Sequence, residues 1–323
     1  MERRRDSKLR TNQHIVILSK AKNLLRVAVG FKILRCAQND RRGERIPPPP
    51  AGGPPPFDKG GKNEPSKKEK HMDKKIRLIS RLDVKNNFLV KGIQLEGLRK
   101  MGDPHDFAVD YYKQGIDEIL YMDIVASLYN RNNLSDIVLR TTGDVFIPIT
   151  VGGGLRSVDD VRSILQKGAD KVAINTAAIK DEKIITEVAE AFGSQCMVLG
   201  IEAKKRRDAA GWEAYTDNGR NHSGKDVIEW AKRGAALGAG EILLTMVDCE
   251  GLERGMENEL IAEICSEVNV PVIVSGGCGC AKDAVTAANA GASAVAVASI
   301  LHYKKTTVPA LKQEIRDLGV LVR

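Results

Sequence analysis

The order of apolar runs predicts an α/β chain, a (β/α)8 TIM barrel built from two similar half-barrels, over residues 72 to 323. Three observations carry that expectation. From Ile76 onward, eight short runs rich in Val and Ile follow one another, each separated from the next by a window in which apolar residues return every three or four positions. Several stretches recur at a near-constant offset of about half the domain. Glycine clusters follow the third and seventh runs, where a strand hands over to a helix. A doubly wound open sheet is the structural alternative, but it usually has fewer strands and one phosphate loop near its start.

Taken in order, the first run, Ile76 to Val84, carries Asp83 near its end and leads into a first, long loop containing Val90-Lys91-Gly92. The second, Glu118 to Ile124, carries Asp123. The third, Val145 to Val151, delivers Gly152-Gly153-Gly154 and is followed by the helical set Val158, Val161, Ile164 and Leu165. The fourth, Lys171 to Asn175, hands over to Thr176, and Ile184, Ile185, Val188 and Phe192 then repeat at helical spacing. The fifth and sixth are Cys196 to Glu202 and Glu241 to Asp248, with Glu250-Gly251 just beyond. The seventh, Pro271 to Ser275, delivers Gly276-Gly277. The eighth, Ala294 to Ser299, precedes a last helix marked by Val308, Leu311, Ile315 and Leu318.

Val151-Gly152-Gly153-Gly154 returns 124 positions later as Ser275-Gly276-Gly277-Cys278, and Gly168 to Ala173 returns after 123 as Gly291 to Ala296. Glu118-Ile119-Leu120 likewise returns as Glu241-Ile242-Leu243. Such an offset means two alike four-strand halves. Glycine directly after a strand lets the backbone approach an anion, and the amides at the next helix start supply donors, so the pair of clusters predicts two phosphate sites. Gly154, Asn175 and Thr176 belong to one; Gly251, Gly277, Ala298 and Ser299 belong to the other. A ligand with a phosphate at each end is the matching class.

The formal charge of +8 misleads, because residues 1 to 71 hold 18 Lys/Arg against 7 Asp/Glu while the remainder holds 32 against 35. The domain is mildly acidic, which excludes a nucleic-acid surface inferred from the whole-chain balance. Seven prolines between Pro47 and Pro56, then Gly, Lys, Glu and Ser, give the leader linker composition that cannot bury a core. A targeting peptide, an interaction tail or translation from a start placed too early would each produce it. The last is preferred, since Met72 is followed by charges and then a strand-like run. No run of eighteen apolar residues occurs, so a membrane span is not expected. Six cysteines without paired zinc spacing or a disulfide framework fit a reducing cytoplasm and imply no metal or organic cofactor. Cys278 and Cys280 read more simply as small residues beside glycine than as a thiol pair.

Barrel active sites lie at the carboxyl ends of the strands, which makes Asp83, Asp123, Glu202, Asp248 and Glu250 the acids of interest. Strands one and five face each other across an eight-strand barrel. Asp83 and Glu202 are therefore opposed, and two carboxylates flanking one substrate divide acid and base work when their surroundings separate their pKa values. Either acid would otherwise cap a helix or pair with Arg81, Lys85, Lys91 or Lys204. Lys91 is placed to meet a substrate phosphate or to lie in solvent.

Over Lys75 to Arg323 the sequence resembles the cyclase subunit of imidazole glycerol phosphate synthase. Leu82-Asp83-Val84-Lys85, Val90-Lys91-Gly92, Val151 to Gly154, Ala169 to Val172, Ile174 to Ala178, Gly240 to Thr245 and Ser275-Gly276-Gly277 carry the resemblance in order and spacing. It implies a barrel that takes ammonia from a glutaminase subunit docked on its amino-terminal face and closes the imidazole ring of a bisphosphorylated ribulosyl substrate. It also implies an ammonia gate of Arg77, Glu118, Lys171 and Glu241 at the closed end, with Asp170 on the glutaminase side; unaided, those residues read as a stabilising salt-bridge ring. Three positions depart from the family's pattern. Glu202 stands where the family has Asp, shifting the carboxyl by roughly an ångström, which costs about 100-fold where geometry is tight. Glu250 also replaces Asp, and Arg81 stands where the residue is usually small or cysteine. Glu202 with Arg81 resembles a divergent branch thought to supply ammonia for amidination of a surface-polysaccharide sugar, and a non-catalytic scaffold for a glutaminase is the third reading.

Overall fold

The computed structural model describes residues 75–126 and 134–323, and the basic, proline-rich leader, residues 1 to 71, lies outside the described residues. Eight parallel strands form the wall of a closed barrel. They are β1 (Arg77–Lys85), β4 (Glu118–Asp123), β5 (Ile149–Gly152), β6 (Lys171–Ile174), β7 (Met197–Lys205), β10 (Glu241–Met246), β11 (Val272–Ser275) and β12 (Ala294–Val297). Neighbours run β10-β11-β12-β1-β4-β5-β6-β7, and pairing of β7 with β10 closes the ring.

Strand parity divides the side chains between two apolar regions. On β1 the odd positions turn inward: Ile79 packs with Leu120, Ala173, Val198, Leu243, Ile273, Ala294 and Ala296 inside the bore. Leu78 and Leu82 turn outward and join Ile119, Tyr121, Val172, Leu199 and Leu244 in the larger core beneath the helices. Filling the bore with small and branched residues leaves a packed interior, with polar groups only at its two ends.

Local chemistry fixes the helix starts. Ser157 and Asp160 form a reciprocal capping box for helix Val158–Gln166, and Asp226 accepts from Ile228 and Glu229 to start helix Val227–Ala236. Pro104 and Pro309 sit in first turns, where a missing N–H costs nothing.

The eight runs are strands in the expected order, with most ends shifted by a residue or a few; the fifth runs on to Lys205, beyond Glu202. The third begins at Ile149 rather than Val145, because Pro148 has no N–H to give a ladder. Asp248 lies in a 3-10 turn, Val247–Cys249, beyond the sixth strand, and Ser299 opens helix Ser299–His302 rather than ending the eighth. The first loop is structured. It forms hairpin β2 (Phe88–Ile93) and β3 (Glu96–Gly102), and a second hairpin, β8 (Trp212–Thr216) and β9 (Asn221–Asp226), follows the fifth barrel strand.

Leu244 is fully buried between sheet and helices. Leu244→Ala is expected to destabilise the barrel by about 2–5 kcal/mol through lost transfer energy and the residual cavity, read from the guanidinium unfolding midpoint.

Candidate functional site at the carboxyl-terminal mouth

Asp83 and Glu202 stand on β1 and β7, at the same end of the barrel. Asp83 is 2% exposed and accepts a hydrogen bond at 2.8 Å from Arg81 Nε. Burial alone would raise its pKa; the Arg81 guanidinium, with the Lys91 ammonium behind it, outweighs burial and holds the carboxyl below its ordinary range. Glu202 is half-buried and behaves oppositely. Desolvation raises it to about 7, even though Gly219 N–H donates to its Oε2 at 2.7 Å and Arg81 lies nearby. The donor comes from the turn of the β8–β9 hairpin, so an element that apolar periodicity does not mark holds one of the two acids.

The two glycine clusters line two cavities. The first encloses about 270 Å³ and is lined by Gly153, Gly154, Asn175, Thr176, Glu202 and, beyond those expected, Arg156 and Lys180. Gly153 has φ 94°, and a Cβ there would strike the Asp123 carbonyl, so only glycine lets the backbone turn here. Asn175 donates its amide to the Tyr215 carbonyl at 3.0 Å, and Thr176 Oγ1 accepts from Asp217 N–H at 3.1 Å, tying this cradle to the same hairpin.

The second cavity is narrow, about 10 Å³, and is lined by Glu250, Gly251, Glu253, Ser275, Gly277, Ala298 and Ser299. Its two carboxylates are both engaged. Lys91, 1% exposed, pairs with Glu250, and Lys305 pairs with Glu253. Lys91 is thus a buried partner of Glu250 and not a solvated side chain. The β2–β3 hairpin is latched to this rim, since Gln94 N–H donates to the Glu250 carbonyl at 2.7 Å and its side chain to the Asp248 carbonyl at 3.0 Å. Gln94 and Leu95 both adopt left-handed backbone in that turn, an arrangement two non-glycine residues hold only when docking over-determines it.

The remaining acids have structural partners. Asp123 accepts from Val125 N–H at 3.1 Å, and exposed Asp248 accepts from Lys205 N–H at 2.9 Å. Among the described residues no group of three or more His, Cys, Asp or Glu is placed to hold a metal ion, and no helix is long and apolar enough to cross a membrane.

At the opposite end of the bore, Arg77, Glu118, Lys171 and Glu241 close into an alternating ring. Arg77 bonds Glu118 at 2.6 Å and also Glu241; Lys171 reaches Glu241 at 2.8 Å and Glu118 at 3.3 Å. Asp170, on the rim below, accepts from Ile149 N–H at 2.9 Å. The ring lies directly beneath the apolar layer, so bore and mouth stack on one axis: charged ring, apolar layer, Arg81 with the carboxylates.

Lys171→Met leaves buried Glu118 and Glu241 facing one cation. The expected cost is about 3 kcal/mol, the lower end for breaking a buried pair because Lys171 keeps some exposure, measured by urea unfolding at neutral pH.

Comparison with known proteins agrees with this architecture. The family model described as "Histidine biosynthesis protein" matches residues 77–307. A Legionella pneumophila protein, imidazole glycerol phosphate synthase subunit HisF, is 58% identical over 204 residues, covering 63% of this chain and 96% of that protein. Proteins of the same name from Bifidobacterium adolescentis and Mycobacteroides abscessus are each 46% identical over 252 residues, covering 77% and 76% of this chain and 98% of theirs. With its barrel, paired cradles and near-complete span of these relatives, the chain belongs to the histidine biosynthesis protein family, among the HisF-type subunits.

Proposed function

We propose that this chain is the cyclase subunit of an imidazole glycerol phosphate synthase, a lyase-type enzyme of histidine biosynthesis. The observation that carries the reading is the meeting of Asp83 and Glu202 at one mouth, above a bore whose far end is the Arg77, Glu118, Lys171 and Glu241 ring. A glutaminase subunit on the amino-terminal face supplies ammonia, which passes the ring and the apolar layer to the mouth. The substrate is a bisphosphorylated ribulosyl aminoimidazole carboxamide ribotide. One phosphate takes the Gly154, Asn175 and Thr176 cradle, with Arg156 and Lys180 as cations. The other takes the backbone at Gly251, Gly277, Ala298 and Ser299, with Lys91 the nearby cation behind Glu250.

The electrostatics divide the work of the two acids. Asp83, kept ionised by its neighbours, is the base that receives the proton of the attacking nitrogen as it adds to the ribulosyl carbonyl, whose oxygen leaves as water. Glu202, raised to about 7, still carries a proton near neutrality and delivers it to the leaving group as imidazole glycerol phosphate closes and the aminoimidazole carboxamide ribotide departs. Holding both ends of the substrate brings the reacting atoms into one geometry and excludes bulk water from the attack.

The assay is turnover of the bisphosphorylated substrate at constant free ammonia. The kcat profile is expected to fall as pH rises through about 7, where Glu202 loses its proton, and Glu202→Gln should remove that limb. Asp83→Asn is expected to lower kcat at least about 100-fold with little change in KM. Unchanged product formation in Asp83→Asn would make the barrel a scaffold only, and no turnover by the native chain, even with the glutaminase added, would reject the cyclase.

A further inference from the structure

In the scheme above Arg81 enters only as a charge beside Asp83, yet it bonds three side chains at the mouth. It is 2% exposed, and its odd position on β1 sends it into the bore above Ile79. Its Nε donates to Asp83 Oδ1 at 2.8 Å, while Nη1 donates to Thr245 Oγ1 at 2.9 Å and Ser275 Oγ at 3.1 Å. Those hydroxyls end β10 and β11, so one guanidinium spans from the first strand to two others around the ring. It is the floor on which the mouth rests. Its backbone is fixed as well: His302 Nε2 lies 3.0 Å from the Arg81 carbonyl and Nδ1 lies 2.8 Å from Tyr111 Oη. With Nε2 donating and Nδ1 accepting, His302 is neutral, as burial dictates by lowering it to about 4.

The charges around Asp83 are unequal in reach. Arg81 bonds it directly from β1; Lys91 from β2 is already paired with Glu250, and neutral His302 faces it from helix Ser299–His302. Glu250 and Glu202 also feel Arg81, but only through space. A charged donor bonded to Asp83 alone acts on it more strongly than on Glu202, which desolvation raises, and so holds the two acids apart.

We propose that Arg81 is a positioning residue for the reaction at this site: by binding one oxygen of Asp83 from below it turns the other toward the substrate and holds Asp83 as the unprotonated one of the two acids. The inference rests on the cyclase reading for its chemistry, but the proton assignment stands on the free protein. The guanidinium also has to be Arg. Its planar fork reaches the carboxylate and two hydroxyls at once, which an ammonium on a shorter stem does not.

The test uses the full chain with Arg81→Met, which keeps length and removes charge, and Arg81→Lys, which keeps charge and loses the fork. Carboxyl carbon shifts of Asp83, followed by NMR against pH without substrate, should show its midpoint raised by about one to three pH units in the Met variant and largely restored in the Lys variant. With substrate, kcat at pH 7 should drop about 10- to 100-fold in the Met variant, its acid limb moving with the Asp83 midpoint, while KM stays within about twofold. An unmoved Asp83 midpoint overturns the proposal, and so does a loss confined to KM, which would make Arg81 a substrate contact. If the Met variant does not fold, the Lys variant decides: native Asp83 titration with a reduced kcat supports the role, and native values of both overturn it. A shifted midpoint in a chain whose native form turns over no bisphosphorylated substrate sinks the cyclase reading and leaves the positioning role standing.

Discussion

Everything at the mouth depends on how charge is neutralised inside a closed barrel. The inward face of β1 presents Arg77, Ile79, Arg81 and Asp83 in sequence, so three ionisable groups enter a bore whose middle layer is apolar. A charge in that setting persists only beside an opposite one with its hydrogen bonds filled. At the lower end Arg77 and Lys171 are cancelled by Glu118 and Glu241; at the upper end Arg81 is cancelled mainly by Asp83. The lower ring balances itself. The upper set does not, because Asp83, Glu202 and Glu250 outnumber Arg81 and Lys91, and Glu202, which no cation bonds, is raised to about 7 by desolvation.

That imbalance gives the site its direction. If both acids had equal partners, neither would be a better base or a better acid near neutrality. Glu202 receives one backbone N–H from Gly219 and is desolvated, whereas Asp83 receives a guanidinium. The Glu202 carboxyl meets the turn of the β8–β9 hairpin, which gives it a local partner.

The two halves of the barrel repeat in sequence but not in environment. Both glycine clusters keep left-handed backbone after a strand, a conformation that glycine adopts freely. The first is roomy and carries Arg156 and Lys180, while the second is narrow, its acids tied to Lys91 and Lys305. Each half carries a hairpin after its first strand, and each hairpin ties to a different cavity: β8–β9 to the first through Asn175 and Thr176, β2–β3 to the second through Glu250.

By itself the sequence determined the barrel, the order of its strands, the opposed acids and the duplicated cradles, because each rests on short-range regularities: periods of two and of three to four, glycine after a strand, and a repeat at half the length. The period of two on β1 also placed Arg81 on the same face as Asp83, a signal open to reading before any coordinates. Arg156 and Lys180 were harder to see, since a cation near a glycine turn is commonplace. Only the tertiary structure decided which acid keeps its proton, that Lys91 faces Glu250 rather than solvent, and that Asp248 serves the backbone at Lys205. The last two outcomes join groups 159 and 43 residues apart in the chain, and the first depends on desolvation, which exists only once β7 pairs with β10 and the ring closes.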